Sequence, residues 1–292
     1  MTTTVAPPAR LFAFAVALLL AFGCAYAAPE SSQPSAPINV ATYNLRYNNP
    51  KDGANAWPAR KEMVKALIRY HEFDLFGTQE GLAGQLADLG EMEEFDHVGV
   101  GRDDGKQAGE HSAIFFRKSR FTLLRKGDFW LSETPDRPSL GWDATCCHRI
   151  VSWARLRDDG SARTFYVFSV HFDHEGQLAR RASADLVLRK IAEIAGSEPA
   201  ICLGDFNSTP ETPQMLTMAK AMRDAFRVSA APPYGPVGTF NDFHLDAAMT
   251  DRIDYIFVDR NFDVRKYAVL SDSLDRRYPS DHHPVVARIV LK

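Results

Sequence analysis

Ala200-Ile201-Cys202-Leu203-Gly204-Asp205-Phe206-Asn207-Ser208-Thr209-Pro210 is the stretch whose reading decides the fold. It opens as an apolar run, the mark of a buried strand. It stops in Gly-Asp-Phe-Asn-Ser-Thr-Pro, which is turn chemistry. A buried strand that ends in a carboxylate and a carboxamide delivers both groups to one sheet edge, and sites in layered α/β proteins gather at such edges. On an extended backbone Asp205 and Asn207, two positions apart, face the same way. One offers an anionic oxygen, the other a neutral oxygen and N–H donors. The pair suits a water held between a hard cation and a phosphorus centre. The competing reading is an Asx turn, in which Asp205 bonds its own backbone.

The same punctuation recurs along the chain. Residues 38–43 are β-prone and end at Asn44-Leu45-Arg46, and residues 73–76 form a short strand that stops at Gly77-Thr78-Gln79-Glu80. The strand predicted over 163–170 ends at His171-Phe172-Asp173-His174, and the one over 285–291 follows Ser280-Asp281-His282-His283-Pro284. A strand over 252–258 carries Asp254 among apolar and aromatic residues, and a charge in such a run requires a partner or a function. Each cluster alone has an ordinary alternative: a solvated glutamate, an idle loop histidine. Their repetition at strand ends weighs against that.

Periodicity predicts helices over 59–70, 82–92 and 177–194, strands over 95–99, 112–116, 121–124 and 129–131, and a hairpin of 149–156 with 163–170 around Asp158-Asp159-Gly160. Residues 132–148 read as a long loop in which Trp142 either lines a cleft or packs. Short helices are expected after Pro210 and a loop over 232–238. No internal repeat or dividing linker interrupts the body, so it reads as one α/β domain, 38–292, of two packed sheets flanked by helices.

Residues 1–27 read as a secretory signal peptide: Arg10 is the one charge before Glu30, residues 11–22 are apolar, and Ala25-Tyr26-Ala27 is a cleavage pattern. The apolar run is too short to span a bilayer. Export to the periplasm or the medium follows. Cys24 as a lipoprotein anchor is the weaker option, since Ala21 stands where a leucine is expected. Residues 28–37 are a Pro/Ser-rich linker. The 292 residues carry a net charge of −3, with 45% hydrophobic and 24% charged residues, as in ordinary soluble proteins. A mildly acidic chain has no general attraction to nucleic acid or anionic membranes and is poorly suited to long duplex DNA. No amphipathic membrane-insertion segment stands out. Beyond the leader, Cys146, Cys147 and Cys202 are too few for a disulfide framework and lack zinc spacing; Cys202 reads as a small core hydrophobe.

Taken in order, Thr42-Tyr43-Asn44-Leu45-Arg46, Thr78-Gln79-Glu80, His171-Phe172-Asp173-His174, Gly204-Asp205-Phe206-Asn207, Arg252-Ile253-Asp254-Tyr255-Ile256-Phe257-Val258 and Ser280-Asp281-His282-His283-Pro284 resemble the motifs of the endonuclease/exonuclease/phosphatase superfamily, the DNase I-like fold. The loop over 48–60 resembles a subgroup of bacterial exported members, nearer the deadenylase-like branch than the DNA-repair branch. The resemblance implies a four-layer α/β/β/α sandwich with the site at the strand ends. It implies Mg²⁺, with Mn²⁺ as the alternative, held by Glu80 with Asn44 and Asp281. Asp205 and Asn207 would orient and deprotonate the attacking water. His282 would contact the phosphate, with Asp254 holding its ring, and His171 would be the second histidine, which some members replace. His174 is a further substrate candidate. Arg46 and Arg60 could reach phosphate, against the alternative of surface salt bridges. His283 is expected to point away from His282.

The chemistry is coherent with that reading. A phosphodiester repels hydroxide, and a hard, oxygen-loving cation relieves the repulsion. Asp254 would raise the pKa of His282, so that a cationic ring donates to a phosphate oxygen. The expected activity is that of a Mg²⁺-dependent phosphoric ester hydrolase of phosphodiesterase or nuclease type. The alternatives are a deadenylase-like RNA exonuclease, a sphingomyelinase-type phospholipase and a non-catalytic binding module. The substrate would be nucleic acid or a small phosphodiester or monoester, and the chain a monomer with no obligate protein partner.

Overall fold

The computed structural model describes residues 1–6, 8 and 35–292, so most of the expected leader, Cys24 included, and most of the linker fall outside the described residues. The elements belong to the compact unit Gln33–Lys292. In chain order they are β1 (Ile38–Asn44), a 3₁₀ turn (Pro50–Asn55), α1 (Trp57–Tyr70), β2 (Leu75–Gln79), α2 (Ala83–Gly90), β3 (Phe95–Val98), β4 (Ile114–Arg117), β5 (Phe121–Trp130), β6 (Ile150–Asp158) and β7 (Arg163–His171). There follow α3 (Gln177–Ala195), β8 (Ala200–Asp205), α4 (Pro213–Ala221), β9 (Arg223–Asp224), α5 (Ala225–Val228), β10 (Asp254–Val258), β11 (Phe262–Val269) and β12 (Val285–Leu291).

The strands form two six-stranded sheets, ordered β11-β12-β1-β2-β4-β3 and β5-β6-β7-β8-β10-β9. Each sheet has one parallel pair, β1 with β2 and β7 with β8, and the remaining neighbours are antiparallel. Three apolar layers hold the stack together. Ile38 and Val40 of β1 face Phe165, Val167, Ile201 and Leu203 between the sheets. Ala41 and Tyr43 turn the other way, onto Val64, Ile68 and Leu86 of α1 and α2. Phe168 and Cys202 likewise meet Val187, Met215 and Met218 of α3 and α4. The result is the expected α/β/β/α sandwich.

Side-chain alternation then places the polar groups. On β8, Ile201 and Leu203 face the other sheet, and the next inward position is Asp205. On β1 the same parity carries Ile38 and Val40 into Thr42 and Asn44. On β7 it carries Phe165 and Val167 into Ser169 and His171. On β10, Ile256 and Val258 lie inward with Asp254. The inter-sheet core thus changes from apolar to polar at one end.

Several expectations are corrected. The two short strands predicted over 121–124 and 129–131 are one strand, β5, with a register shift between Leu123 and Arg125. β10 starts at Asp254, because Arg252 is drawn aside into a buried pair with Asp224, Nη2 to Oδ2 2.7 Å. β11 was not expected. Its alternation is broken by a register shift between Val264 and Lys266, which hides the period of two. Among the described residues, no helix is long and apolar enough to cross a membrane.

Gly77 on β2 lets the sheets approach. A Cβ there would lie 2.2 Å from Leu203 Cδ1 and 2.8 Å from Ser169 Oγ. Gly77→Ala is expected to destabilise the domain by about 1–3 kcal/mol through overpacking. A urea unfolding midpoint equal to that of the wild type would contradict this account.

Candidate active site

The polar strand ends meet as facing pairs. His282, before β12, donates from Nδ1 to Asp254 Oδ2 of β10 at 2.9 Å. Asn44 of β1 donates from Nδ2 to Asp205 Oδ2 of β8 at 3.0 Å. Gln79 of β2 donates from Nε2 to Ser169 Oγ of β7 at 3.3 Å. Glu110, before β4, has an oxygen 4.0 Å from His171 Nδ1 at the end of β7. The Gln79–Ser169 pair lies beneath, and the other three border a pocket of about 520 Å³. Arg46, Glu80, His171, His174, Asp205, Asn207, Asp281 and His282 line it. Asn44 and Asp254 stand behind the wall, bonded to residues that line it.

Asn44 organises the centre. Its Oδ1 accepts the backbone N–H of Arg46 at 3.0 Å, and its Nδ2 also donates to Glu80 Oε1 at 3.1 Å. Glu80 Oε2 accepts the N–H of Tyr47 at 3.1 Å. Arg46, Glu80 and Asn207 all adopt left-handed backbone, with φ of 54°, 63° and 45°. For Arg46 and Glu80 this costs about 1–2 kcal/mol each, which the network around Asn44 offsets. Asn207 therefore does not continue an extended strand. The Asx turn is real, with Asn207 N–H donating to Asp205 Oδ1 at 2.8 Å. The turn still leaves both residues on the pocket, with Asn207 Nδ2 anchored to the Phe172 carbonyl at 3.0 Å.

Burial and charge set the protonation states. Burial disfavours charge on His282, but the Asp254, Asp205 and Asp281 carboxylates outweigh it and hold its pKa well above the ordinary value. Asp254 Oδ2 is fixed in turn by the Thr239 hydroxyl at 2.6 Å. Burial, together with Asp254, pushes Asp205 up to about 7. Burial, together with Glu80, pushes Asp281 up to about 6. Glu110 is pushed up to about 7, also by burial first and then by Glu80. Carboxylates crowded out of water in this way are stabilised by a cation.

Asp205, Asp254 and His282 offer ligand atoms within 4.8 Å of one another. Two of the three are already spent on each other, because His282 Nδ1 is bonded to Asp254. Glu80 and Asp281 also line the pocket and offer hard carboxylate oxygens of the kind a divalent ion takes, with Arg46 Nε 3.7 Å from Asp281. The donor set fits Mg²⁺ or Mn²⁺.

The other histidine sits against Arg149, whose Nη1 lies 3.0 Å from His171 Nε2 and whose Nη2 lies 2.7 Å from His174 Nδ1. Burial first, then Arg149, holds the His171 pKa well below the ordinary value, so the ring is neutral. Arg60 is a correction. It is 2% exposed and its guanidinium is spent on the carbonyls of Leu45, Arg46, Asn55 and Pro279. It braces the loops under the pocket and is not placed to meet a substrate. Arg46 lines the pocket, paired through two hydrogen bonds with Asp52 at 3.0 and 3.1 Å. His283 points away, its Nε2 3.3 Å from Met249 Sδ and its ring edge-on to Tyr278. Trp142 packs against the core under α3.

Sequence reading missed Arg102, Glu110, Arg149 and Phe240, which also line the pocket. Arg149 was detectable as the residue opening a hairpin strand. Cys146 and Cys147, dismissed as a disulfide framework, are bonded to each other on the pocket wall.

A model of the Endonuclease/Exonuclease/phosphatase family matches residues 41–282. The chain belongs to this family, whose members are phosphoesterase hydrolases that typically use a divalent metal. A solved family protein from Bacteroides thetaiotaomicron is 42% identical, with a TM-score of 0.85 over 89% of this chain and 99% of that one. A mannosyl-6-phosphatase from the same organism is also 42% identical, with a TM-score of 0.83 over 87% of this chain and 100% of that one. Two uncharacterized proteins of Acanthamoeba polyphaga mimivirus match at 24% and 25% identity over 58% and 52% of this chain; the matches span 30% and 59% of their lengths.

Two outcomes follow. Arg60→Met, which leaves buried carbonyls unpaired, is expected to cost about 1–3 kcal/mol, read by thermal unfolding. For the metal, the signs run together. Asp205, Asp281 and Glu110 have raised folded pKa values, so between about pH 4 and pH 7 the metal-free fold holds protons that the unfolded chain has lost, and its stability falls as pH rises. The raised His282 acts in the same direction: its contribution is present below the unfolded pKa and is lost as pH rises through the folded one. A divalent cation favours the deprotonated carboxylates. The rise in Tm on adding Mg²⁺ is therefore expected to be larger near pH 8 than near pH 5. An equal rise at both would count against carboxylate ligation.

Proposed function

We propose that the chain is a Mg²⁺-dependent phosphoester hydrolase whose substrate is a small phosphate ester, foremost the phosphomonoester of a sugar. The supporting observation is a pocket of about 520 Å³ that sets the His282–Asp254 pair beside Glu80, Asp281 and Asp205. That volume is the size of a small-molecule site. Its wall mixes Glu110 and Asp242 with Arg46, Arg102 and Arg149, where a nucleic-acid groove needs a continuous basic track. The relative described as a mannosyl-6-phosphatase supports the same substrate class.

In this reading Glu80 and Asp281 hold the cation, with Asn44 fixing Glu80. Mg²⁺, when bound, neutralises charge on the phosphate. Asp205, as the carboxylate, accepts a proton from the attacking water, which Asn207 helps to orient. His282, as the imidazolium, donates from its ring to a phosphate oxygen as charge develops there. Asp254 and Thr239 keep that ring aimed. Neutral His171 offers a second polar contact from the opposite wall, and His174 and Arg46 meet the substrate at the rim. Action outside the cytoplasm, through the leader at 1–27, and a monomeric chain complete the proposal.

The test is a substrate panel with Mg²⁺ and with EDTA: a hexose 6-phosphate, phenyl phosphate, a bis-aryl phosphodiester, an oligoribonucleotide, an oligodeoxynucleotide and sphingomyelin. The monoesters are expected to turn over fastest, EDTA to abolish activity, and His282→Ala and Asp205→Asn each to lower kcat by about 10²–10⁴-fold. An oligonucleotide or lipid preferred over every monoester would overturn the substrate assignment. Full activity in His282→Ala would overturn the mechanism.

A further inference from the structure

The facing pairs give the pocket a direction. One end is built from β12, β1 and β2 against β10 and β8, and holds Asp281, His282, Asn44, Glu80, Asp254 and Asp205. Going outward, the next strand of one sheet is β4, preceded by Glu110, and the other sheet continues through β7 to β6, preceded by Arg149 and the Cys146–Cys147 disulfide. β6 lies two strands from β8, a lateral distance of about 10 Å at ~4.8 Å per strand. That is the reach of a phosphorylated sugar from its phosphorus to its far ring hydroxyls.

The far end has a composition of its own. Arg102 Nη1 meets Glu110 Oε2 at 2.5 Å, and both residues line the pocket. Arg102 and Arg149 can only donate, and the Glu110 carboxylate accepts. A ligand with one sign of charge would be attracted by one partner and repelled by the other. Hydroxyl groups, which both donate and accept, suit the set. Beside them the disulfide presents polarisable, weakly polar sulfur, a surface for the C–H face of a ring.

The disulfide is also held in place. Asp143 accepts the N–H groups of Leu178 and Ala179 at the start of α3, at 3.0 and 2.6 Å. The Thr145 hydroxyl bonds Glu175. On the other side Arg149 is locked to His171 and His174. A bonded pair of neighbouring cysteines between two anchored flanks is a rigid knuckle facing the pocket.

We propose that Arg102, Glu110 and the Cys146–Cys147 disulfide form a leaving-group subsite that reads a polyhydroxylated ring, with the disulfide as its apolar pad. This rests on the proposed phosphoesterase activity and names how that activity selects its substrate.

The experiment measures kcat/KM for a hexose 6-phosphate and for phenyl phosphate, and the inhibition constant of inorganic phosphate. It compares the wild type, Glu110→Gln and the double variant Cys146→Ser/Cys147→Ser. The preference for the hexose ester over the aryl ester is expected to fall about tenfold or more in each variant, with the phosphate inhibition constant unmoved. A second arm treats the wild type with dithiothreitol, a dithiol that gives up two electrons and two protons to leave two cysteine thiols and its own cyclic disulfide. Reduction is expected to reproduce the double variant's loss of preference, and reoxidation by glutathione disulfide to restore it. An unchanged preference in the variants overturns the subsite, and so does a parallel loss on both substrates and on phosphate. A double-variant effect that reduction does not reproduce overturns the disulfide's part in it. A wild type that hydrolyses neither monoester fails at the earlier step and refutes the proposed function instead.

Discussion

The carboxamide of Asn44 joins the two sheets where they matter. It is the last inward side chain of β1, and its Nδ2 bonds Glu80 on its own sheet and Asp205 on the other. Its oxygen holds the backbone of Arg46 in a left-handed turn. A buried amide with all its partners present is stable, whereas one with a partner removed costs the full desolvation of the orphaned group. The carboxylates on both sides of the cleft are therefore held by one short, neutral side chain. An acid there would add charge to an already crowded pocket, and an apolar residue would leave Glu80 and Asp205 without a common tether.

The same burial that closes the sandwich tunes the pocket. Apolar residues between the sheets exclude water up to the last inward positions of β1, β7, β8 and β10. The ionisable groups at those positions inherit a medium that disfavours charge. Carboxylates are pushed up and His171 is pushed down, while His282 stays cationic because three carboxylates surround it. The contrast between two buried histidines is one of neighbours, not of depth: one faces Asp254 and the other faces Arg149.

Much of this was legible in the sequence, for a physical reason. Alternation on a strand is strict, so an apolar inward row that ends in Asp205, Asn44 or His171 announces where that residue points. The order of the strand-end clusters then carried the family, and with it the four layers. What failed to show was set by groups that leave no period. Arg60 is occupied by backbone carbonyls from distant loops, which no side-chain pattern records. Glu110 and Arg102 lie in a turn-rich stretch, where charged residues are common and their facing strand is unknown. Asn207 departs from the strand through one positive φ. The cysteine count excluded a network of bridges but said nothing about a bond between neighbours.

The order of strand directions carries a consequence of its own. Listed from the β11 edge of one sheet and the β9 edge of the other, the neighbour relations are the same: two antiparallel, one parallel, two antiparallel. The pattern reads the same from either edge, with the parallel pair at the middle of each sheet, and there β1 lies against β8 and β2 against β7, so Asn44 and Asp205 meet across the cleft. The scaffold by itself does not distinguish one half of the cleft from the other. Polarity along it, and with it the sense in which an asymmetric molecule enters, comes from side chains in which the two halves differ.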